Sequence, residues 1–141
     1  MPTTKTVYLS NPTVLIGGVD VTQNTNAATL EIGYDSLEST TFGDTGHRFV
    51  SGLQMVNVTL TLFNNYGAGE VEATLFDAVG DGTTTLVISP AGTTESASNP
   101  EYTITNSMMS SFTPIIATVG ELSQVSVTFT GGTWVRDIVS P

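Results

Sequence analysis

The 141-residue sequence contains no cysteine, which excludes a disulfide framework and any thiolate metal site. Basic residues are almost missing. Lys5, Arg48 and Arg136 stand against thirteen acids, for a formal net charge of −10. Nucleic-acid binding draws on Lys and Arg contacts to phosphate, so three scattered bases exclude a basic stripe that would hold DNA. The single histidine, His47, gives a transition-metal site little to build on. No apolar run approaches the ~20 residues of a membrane helix. The opening MPTTKTVYLSNPT lacks the apolar core of a signal peptide, so the expectation is a chain made and folded in a cytoplasm, without membrane contact.

Hydrophobic residues make up 39 % and charged residues only 11 %, where a disordered chain is usually more charged. The polarity comes from Thr, Ser, Asn and Gly. Thr is β-branched and stiff at χ1, which suits a pleated strand and disfavours a helix. The length fits one domain, residues 1–141, with enough chain to bury a core.

Period-two alternation marks strands with one buried face. Ala28, Leu30, Ile32 and Tyr34 share one face; Thr29, Glu31, Gly33 and Asp35 share the other. Val56, Val58, Leu60 and Leu62 alternate with Asn57, Thr59 and Thr61. Val125, Val127 and Phe129 alternate with Ser126, Thr128 and Thr130, and Tyr102 and Ile104 oppose Thr103 and Thr105. Gly17-Gly18 between short apolar runs predicts a tight hairpin. TTLVIS before Pro90 reads as a strand, followed by a polar loop to Asn99-Pro100. Gly131-Gly132 leads into a last strand, TWVRDIV.

One segment changes period. Over residues 69–79, Val71, Leu75, Ala78 and Val79 recur at helical spacing, with Phe76 at the edge of the stripe. Glu70 and Glu72 suit a helix start, and Gly80 stands where a C′ glycine is expected. The predicted class is therefore mainly β, with one short α-helix whose apolar stripe covers a sheet.

The stretch from Ser36 to Gly52 is too long and irregular for a tight turn. Loops beyond ~12–15 residues are uncommon and usually functional or disordered. This one carries Phe42, Phe49 and Val50. Either the aromatics pin the loop to its own domain, or they meet a partner surface, which an apolar loop unable to fold back requires.

Catalytic readings fail on convergence. His47 has Asp44 and Ser51 nearby, but on a loop and without a nucleophile elbow. Asp77 and Asp81 match no calcium loop, and GAGE lacks the Gly-Lys-Ser/Thr of a phosphate loop. Glu31 and Asp35, on one strand face, read as solvation. The expectation is no catalytic, metal or cofactor site.

Beyond these patterns the sequence resembles a known family. IGGVDVTQNTNAATLEIGYDSLESTTFGDTGHRFVSGLQMVNVTLTL is similar to the N-terminal half of siphophage-type tail tube (major tail) proteins, with their G-V-D turn, acidic ESTTFGD-like loop, following base and GL entry. LFDAVG, LVISP, NPEYTIT and ATVGELSQVSVTFTGG continue the likeness, which spans most of residues 14 to 132. It departs in a short N-terminal arm and in lacking a C-terminal decoration domain. The resemblance implies a β-sandwich or partial barrel carrying one short α-helix, assembled as stacked hexameric rings whose strands close into a larger barrel around a DNA channel. It makes 36–52 the stacking loop, with Phe42, Asp44, His47, Arg48 and Phe49 as contact candidates. Glu31 and Asp35 become lumen candidates. The implied partners are copies of itself, a tape-measure protein and a tail terminator, with DNA passing unbound through the tail of a virion made in a bacterial cytoplasm. Other readings are a capsid decoration or tail completion protein and a carbohydrate-binding sandwich module.

Overall fold

The computed structural model describes residues 12–90 and 99–139. Among them are eight strands and one helix: β1 (Thr13–Ile16), β2 (Val19–Asp20), β3 (Thr25–Glu38), β4 (Phe49–Phe63), α1 (Val71–Ala78), β5 (Thr84–Ser89), β6 (Glu101–Ser111), β7 (Gln124–Thr130) and β8 (Thr133–Asp137). The strands pair antiparallel in the order β2-β1-β5-β6-β7-β4-β3, with β8 also on β6, and the sheet does not close. The chain is mainly β with one short helix, as its composition requires. The polar loop expected after Pro90 and the base Lys5 lie outside the described residues.

One strand makes two layers out of this sheet. The first half of β6 pairs with β8, from Glu101↔Asp137 to Thr105↔Thr133, and with β5, whose pairing starts at Tyr102↔Ile88 and ends past a register shift at Ser107↔Thr84. Its second half pairs with β7, at Met108↔Thr130 and Met109↔Phe129. Between the halves Asn106 has φ 61°, the one positive φ outside glycine among the described residues. Asn tolerates that left-handed region better than most residues. Across from it, β7 and β8 form a single bent strand, kinked at Gly131 (φ 82°) and Gly132 (φ 95°). The kink reverses the alternation. Ile104 is buried before it, Ser107 and Met109 after it.

The two layers enclose one core. Val56, Val58, Leu60, Leu62, Val125, Val127 and Phe129 come from β4 and β7; Val14, Ile16, Leu86 and Ile104 face them from the other layer. Each such side chain contributes roughly 1.5–3 kcal/mol when fully buried. Helix α1 adds Val71, Leu75 and Ala78 and leaves Phe76 exposed. Its first turn is capped from a distance, since Asn65 Oδ1 accepts from the Val71 amide at 2.9 Å. Val79, read from the sequence as part of the stripe, lies past the helix end and pairs with Met109 in an isolated bridge. Gly80 follows with φ 75°, the C′ conformation that its position predicts.

The Gly17-Gly18 hairpin forms, joining Ile16 to Val19 with positive φ at both glycines. The stretch from Ser36 to Gly52 is more regular than its sequence suggests. Ser36, Leu37 and Glu38 pair with Ser51, Val50 and Phe49, so only residues 39–48 are irregular. The ladder continues because a one-residue register shift between Tyr34 and Ser36 absorbs the mismatch. Opposite it Gly52 leaves room for Asp35 Cβ and the Leu37 side chain, each 3.2 Å from where a Cβ would sit. A bulge of this kind bends and twists a ladder without ending it.

The kink can be tested at its two glycines. A Cβ at Gly132 would collide with the carbonyl oxygen of Thr105, whereas one at Gly131 meets nothing within 4 Å. Gly131→Ala then carries only the left-handed penalty of about 1–2 kcal/mol. Gly132→Ala adds a backbone clash, for a loss of roughly 3 kcal/mol or more. Urea unfolding of both variants measures the gap.

Candidate functional site

The β3–β4 hairpin extends past the buried core. From Val56 onward β4 alternates buried and open positions, but from Phe49 to Met55 no residue is buried. No residue of β3 is buried at all. The last anchorage is at Gln54 and Trp134. Gln54 Oε1 accepts from the Trp134 amide at 3.1 Å, and the indole Nε1–H donates to Gly33 O at 3.4 Å. The Trp134 ring meets Tyr34 edge-on, with centroids 5.7 Å apart. This latch, which the sequence reading missed, fixes the direction in which the hairpin leaves the body. It also engages the only Trp, which a carbohydrate platform would present to solvent.

At the tip, short polar side chains hold a compact turn. The Ser39 amide donates to Arg48 O at 2.8 Å. Asp44 Oδ2 accepts from the Thr41 amide at 2.8 Å, and the Asp44 amide donates to Thr41 O at 3.1 Å. Gly43 takes φ 95°, and Phe42 is held fully exposed at the apex. His47 Nδ1–H donates to Glu38 Oε2 at 2.6 Å, and Arg48 Nη1 lies 3.7 Å from Asp44 Oδ1. Exposed pairs of this kind contribute about 0–1 kcal/mol. The five tip candidates therefore differ. Phe42 and Phe49 offer apolar surface, Arg48 offers charge, and Asp44 shapes the turn.

Behind the tip, β3 is an edge strand, paired with β4 alone among the described residues. Its apolar row lies on the core side, because Leu30 and Ile32 pair with Val58 and Val56. That row is only half covered: Ala28 and Tyr34 are exposed and Leu30 and Ile32 intermediate. The two layers diverge here around a cleft of about 580 Å³, with Leu30 and Ile32 on one wall and Ile88, Pro90 and Tyr102 on the other. An unpaired edge beside an apolar cleft is a site for a further strand.

The opposite face of this layer is a wall of short polar side chains. Ala27, Thr61 and Ser126 are aligned across three strands; so are Thr29, Thr59 and Thr128, and then Glu31, Asn57 and Thr130. Glu31 is exposed within the wall. Asp35 shares its face by alternation but sits further out, at the bulge beside Gly52. No cation faces either acid in a salt bridge among the described residues.

A second exposed apolar segment, residues 112–123, escaped the sequence reading because its apolar residues follow no period. Ile115, Val119 and Leu122 are 74 %, 103 % and 76 % exposed. The segment is nonetheless tied down. Pro114 O accepts from Asn64 Nδ2 at 2.9 Å and from Tyr66 Oη–H at 2.8 Å, and Ser123 Oγ–H donates to Ile116 O at 2.6 Å. Beside it a depression of about 560 Å³ is lined by Phe63, Ile116, Thr118, Glu121, Leu122 and Gln124.

Nothing described converges as an acid–base or metal set. No group of three or more His, Asp or Glu side chains comes together among the described residues. Asp20 and Asp81 are held below the usual carboxylate range, chiefly by hydrogen bonds from the side chains of Thr22 and Thr83 and then from their amides. Both are local turns.

No protein-family model matches the sequence, and no curated protein does. Solved structures do share the fold. A chain of the anti-feeding prophage cap, a tube-terminating cap, matches with a TM-score of 0.68 at 16 % identity, over 99 % of this chain and 95 % of its own. A chain of the sheath/tube terminator of an extracellular contractile injection system matches at 0.66 and 19 %, over 96 % and 99 %. One from the sheath-tube complex of such a system matches at 0.65 and 18 %, over 95 % and 93 %. The fold is thus shared with components of tail-like injection particles. The likeness does not single out the siphophage major tail protein.

Replacing Phe42 and Phe49 together by Ser tests whether the tip serves its own domain. With Phe42 fully and Phe49 61 % exposed, the double variant stays within about 0.5 kcal/mol of the parent in thermal unfolding. A collapse in stability would place the aromatics in the domain's own core.

Proposed function

We propose that this chain is a non-enzymatic structural subunit of a tail-like tube, assembling with copies of itself into rings, six to a ring on the family resemblance. The observation that carries this reading is the fourteen-residue edge strand β3, with its apolar row half covered and its hairpin running beyond the body. An edge this long is an aggregation hazard unless a partner pairs with it. In a ring each copy adds its edge to the next and the hazard disappears, because closure leaves no free edge. The hairpin tip then reaches the adjacent ring. The Thr/Ser/Asn wall lies on the layer that such a ring would close, so it faces the lumen. Tape-measure and terminator proteins are the remaining partners, in the tail of a particle made in a bacterial cytoplasm.

The similarity to a tube-terminating cap and to a sheath/tube terminator favours a second reading, in which the chain ends a tube rather than building it. Electron microscopy of the purified protein separates the two. Open-ended hollow tubes that lengthen with concentration are the expected result. Discrete single rings that never stack would support the terminator.

The sign of the channel is a further consequence. DNA carries one charge per ~1.7 Å of axis, so a basic wall would hold it at many points. Short hydroxyl side chains with Glu31 among them repel weakly and bind nothing. Changing Glu31 and Asp35 to Lys should permit assembly, because repulsion screened over ~8 Å is modest, while slowing DNA passage. Ejection at the parental rate, or a lumen lined by Lys5, Arg48 or Arg136, would defeat this part of the reading.

A further inference from the structure

Lateral support for the β3–β4 hairpin ends abruptly. β7 pairs with β4 from Phe63↔Gln124 to Asn57↔Thr130, and the Gly131 amide donates to Val56 O at 3.1 Å. From Met55 outward the β4 backbone pairs with β3 alone among the described residues. Residues 33–38 and 49–55 thus form a two-stranded ribbon, and none of them is buried. Such a ribbon twists over a wider range than a sheet with neighbours on both sides. The change falls at Gly33↔Met55, and the register shift between Tyr34 and Ser36 follows at once. A residue without a side chain at such a boundary absorbs a change of direction at low steric cost.

One side-chain cluster ties this ribbon back to the body. Gln54 Oε1 accepts from the Trp134 amide at 3.1 Å, and Gln54 Nε2 donates to Tyr34 Oη at 3.4 Å and to Trp134 O at 3.5 Å. The Trp134 indole donates to Gly33 O at 3.4 Å and meets the Tyr34 ring edge-on. All but the first of these bonds lie beyond the usual hydrogen-bond range. Tyr34 is 48 % exposed, so water reaches the cluster and can replace its bonds. Trp134 belongs to β8, which pairs with β6 in the other layer. The cluster therefore joins the ribbon of one layer to a strand of the other.

We infer that the ribbon pivots as a unit about Gly33 and Met55, with the Gln54–Trp134–Tyr34 cluster as its catch. Closed, the catch holds the ribbon against β8; open, it frees the ribbon to swing away. Nothing inside the ribbon breaks, because the pairs from Tyr34↔Gln54 to Glu38↔Phe49 and the Asp44 turn travel together. Opening also uncovers no core side chain of β4, since its buried residues begin at Val56, on the body side of the pivot. A balance between a few weak contacts and water leaves the open direction populated at ~0.1–10 %. The pivot belongs to the single chain and stands whether or not copies assemble.

The lack of cysteine lets two spin labels be placed without background, one at the tip through Phe42→Cys and one on α1 through Phe76→Cys. Electron–electron distance measurements between them read the ribbon's direction, with labelled chains diluted into unlabelled parent so that only intramolecular distances register. Emission of the only tryptophan reads the catch. The parent should give one dominant distance. Gln54→Leu, which keeps most of the side chain's bulk and removes its bonds, should raise a second distance at least about tenfold and shift Trp134 emission to the red. Leu53→Ala, on the same ribbon but outside the catch, should change neither. A single unchanged distance in Gln54→Leu overturns the inference, because the ribbon is then stiff without its catch. Two comparable populations in the parent overturn it too, because the catch then holds nothing. If Gln54→Leu does not fold, Tyr34→Leu removes the ring contact at an exposed position and is read by the same two outcomes.

Discussion

β6 donates and accepts hydrogen bonds in two layers, and the rest of the molecule follows from that division. A flat eight-stranded sheet of this sequence would leave one face of every strand in water. Bending β6 at Asn106 and the β7–β8 strand at Gly131-Gly132 folds the sheet onto itself, so that Ile104 and Phe129 enter the same core. The bend depends on one backbone approach, Gly132 against Thr105 and Asn106, which no side chain larger than hydrogen permits. The layers are held together at the bend and diverge away from it, and at the diverging side lies β3.

The position of β3 explains why its chemistry differs from that of its partner. β4 has a neighbour on each side and buries Val56, Val58, Leu60 and Leu62. β3 has one neighbour among the described residues, and its matching row of Ala28, Leu30, Ile32 and Tyr34 remains half exposed. Unpaired backbone groups and uncovered apolar side chains on the same strand are satisfied together by one event, the addition of another strand. The wall of Thr, Ser and Asn on the other face gives a partner little to grip. In the proposed assembly, association is thereby directed to the edge.

Period-two alternation read β4 and β7 well, since both of their flanks are paired and one face is fully covered. The same alternation in β3 predicted the right face but not its exposure, because alternation reports which side chains share a face and not what covers them. The continuation of β6 through Ser107, Met108 and Met109 was illegible: the kink at Asn106 shifts the buried positions by one, and a broken period reads as a loop. The hairpin arms at 36–38 and 49–52 were hidden by Gly52 and by side chains open on both faces. The aromatics Phe42 and Phe49 were visible as an anomaly, an apolar pair in a polar loop. The exposed apolar residues Ile115, Val119 and Leu122 were not, because they follow no period and their segment is positioned through the Asn64 and Tyr66 hydrogen bonds to Pro114.

The central claim is that the free edge of β3 is completed by a neighbouring copy, and amide hydrogen exchange reads that edge directly. In the isolated subunit every second amide between Ala27 and Leu37 points away from β4 and should exchange rapidly. In the assembled protein those same amides should become protected to the level of the β4–β7 ladder, while amides at Gly17 and Gly18 stay unchanged. Rapid exchange along β3 in assembled protein would contradict the account, because a subunit that associates with its edge still open is held together elsewhere.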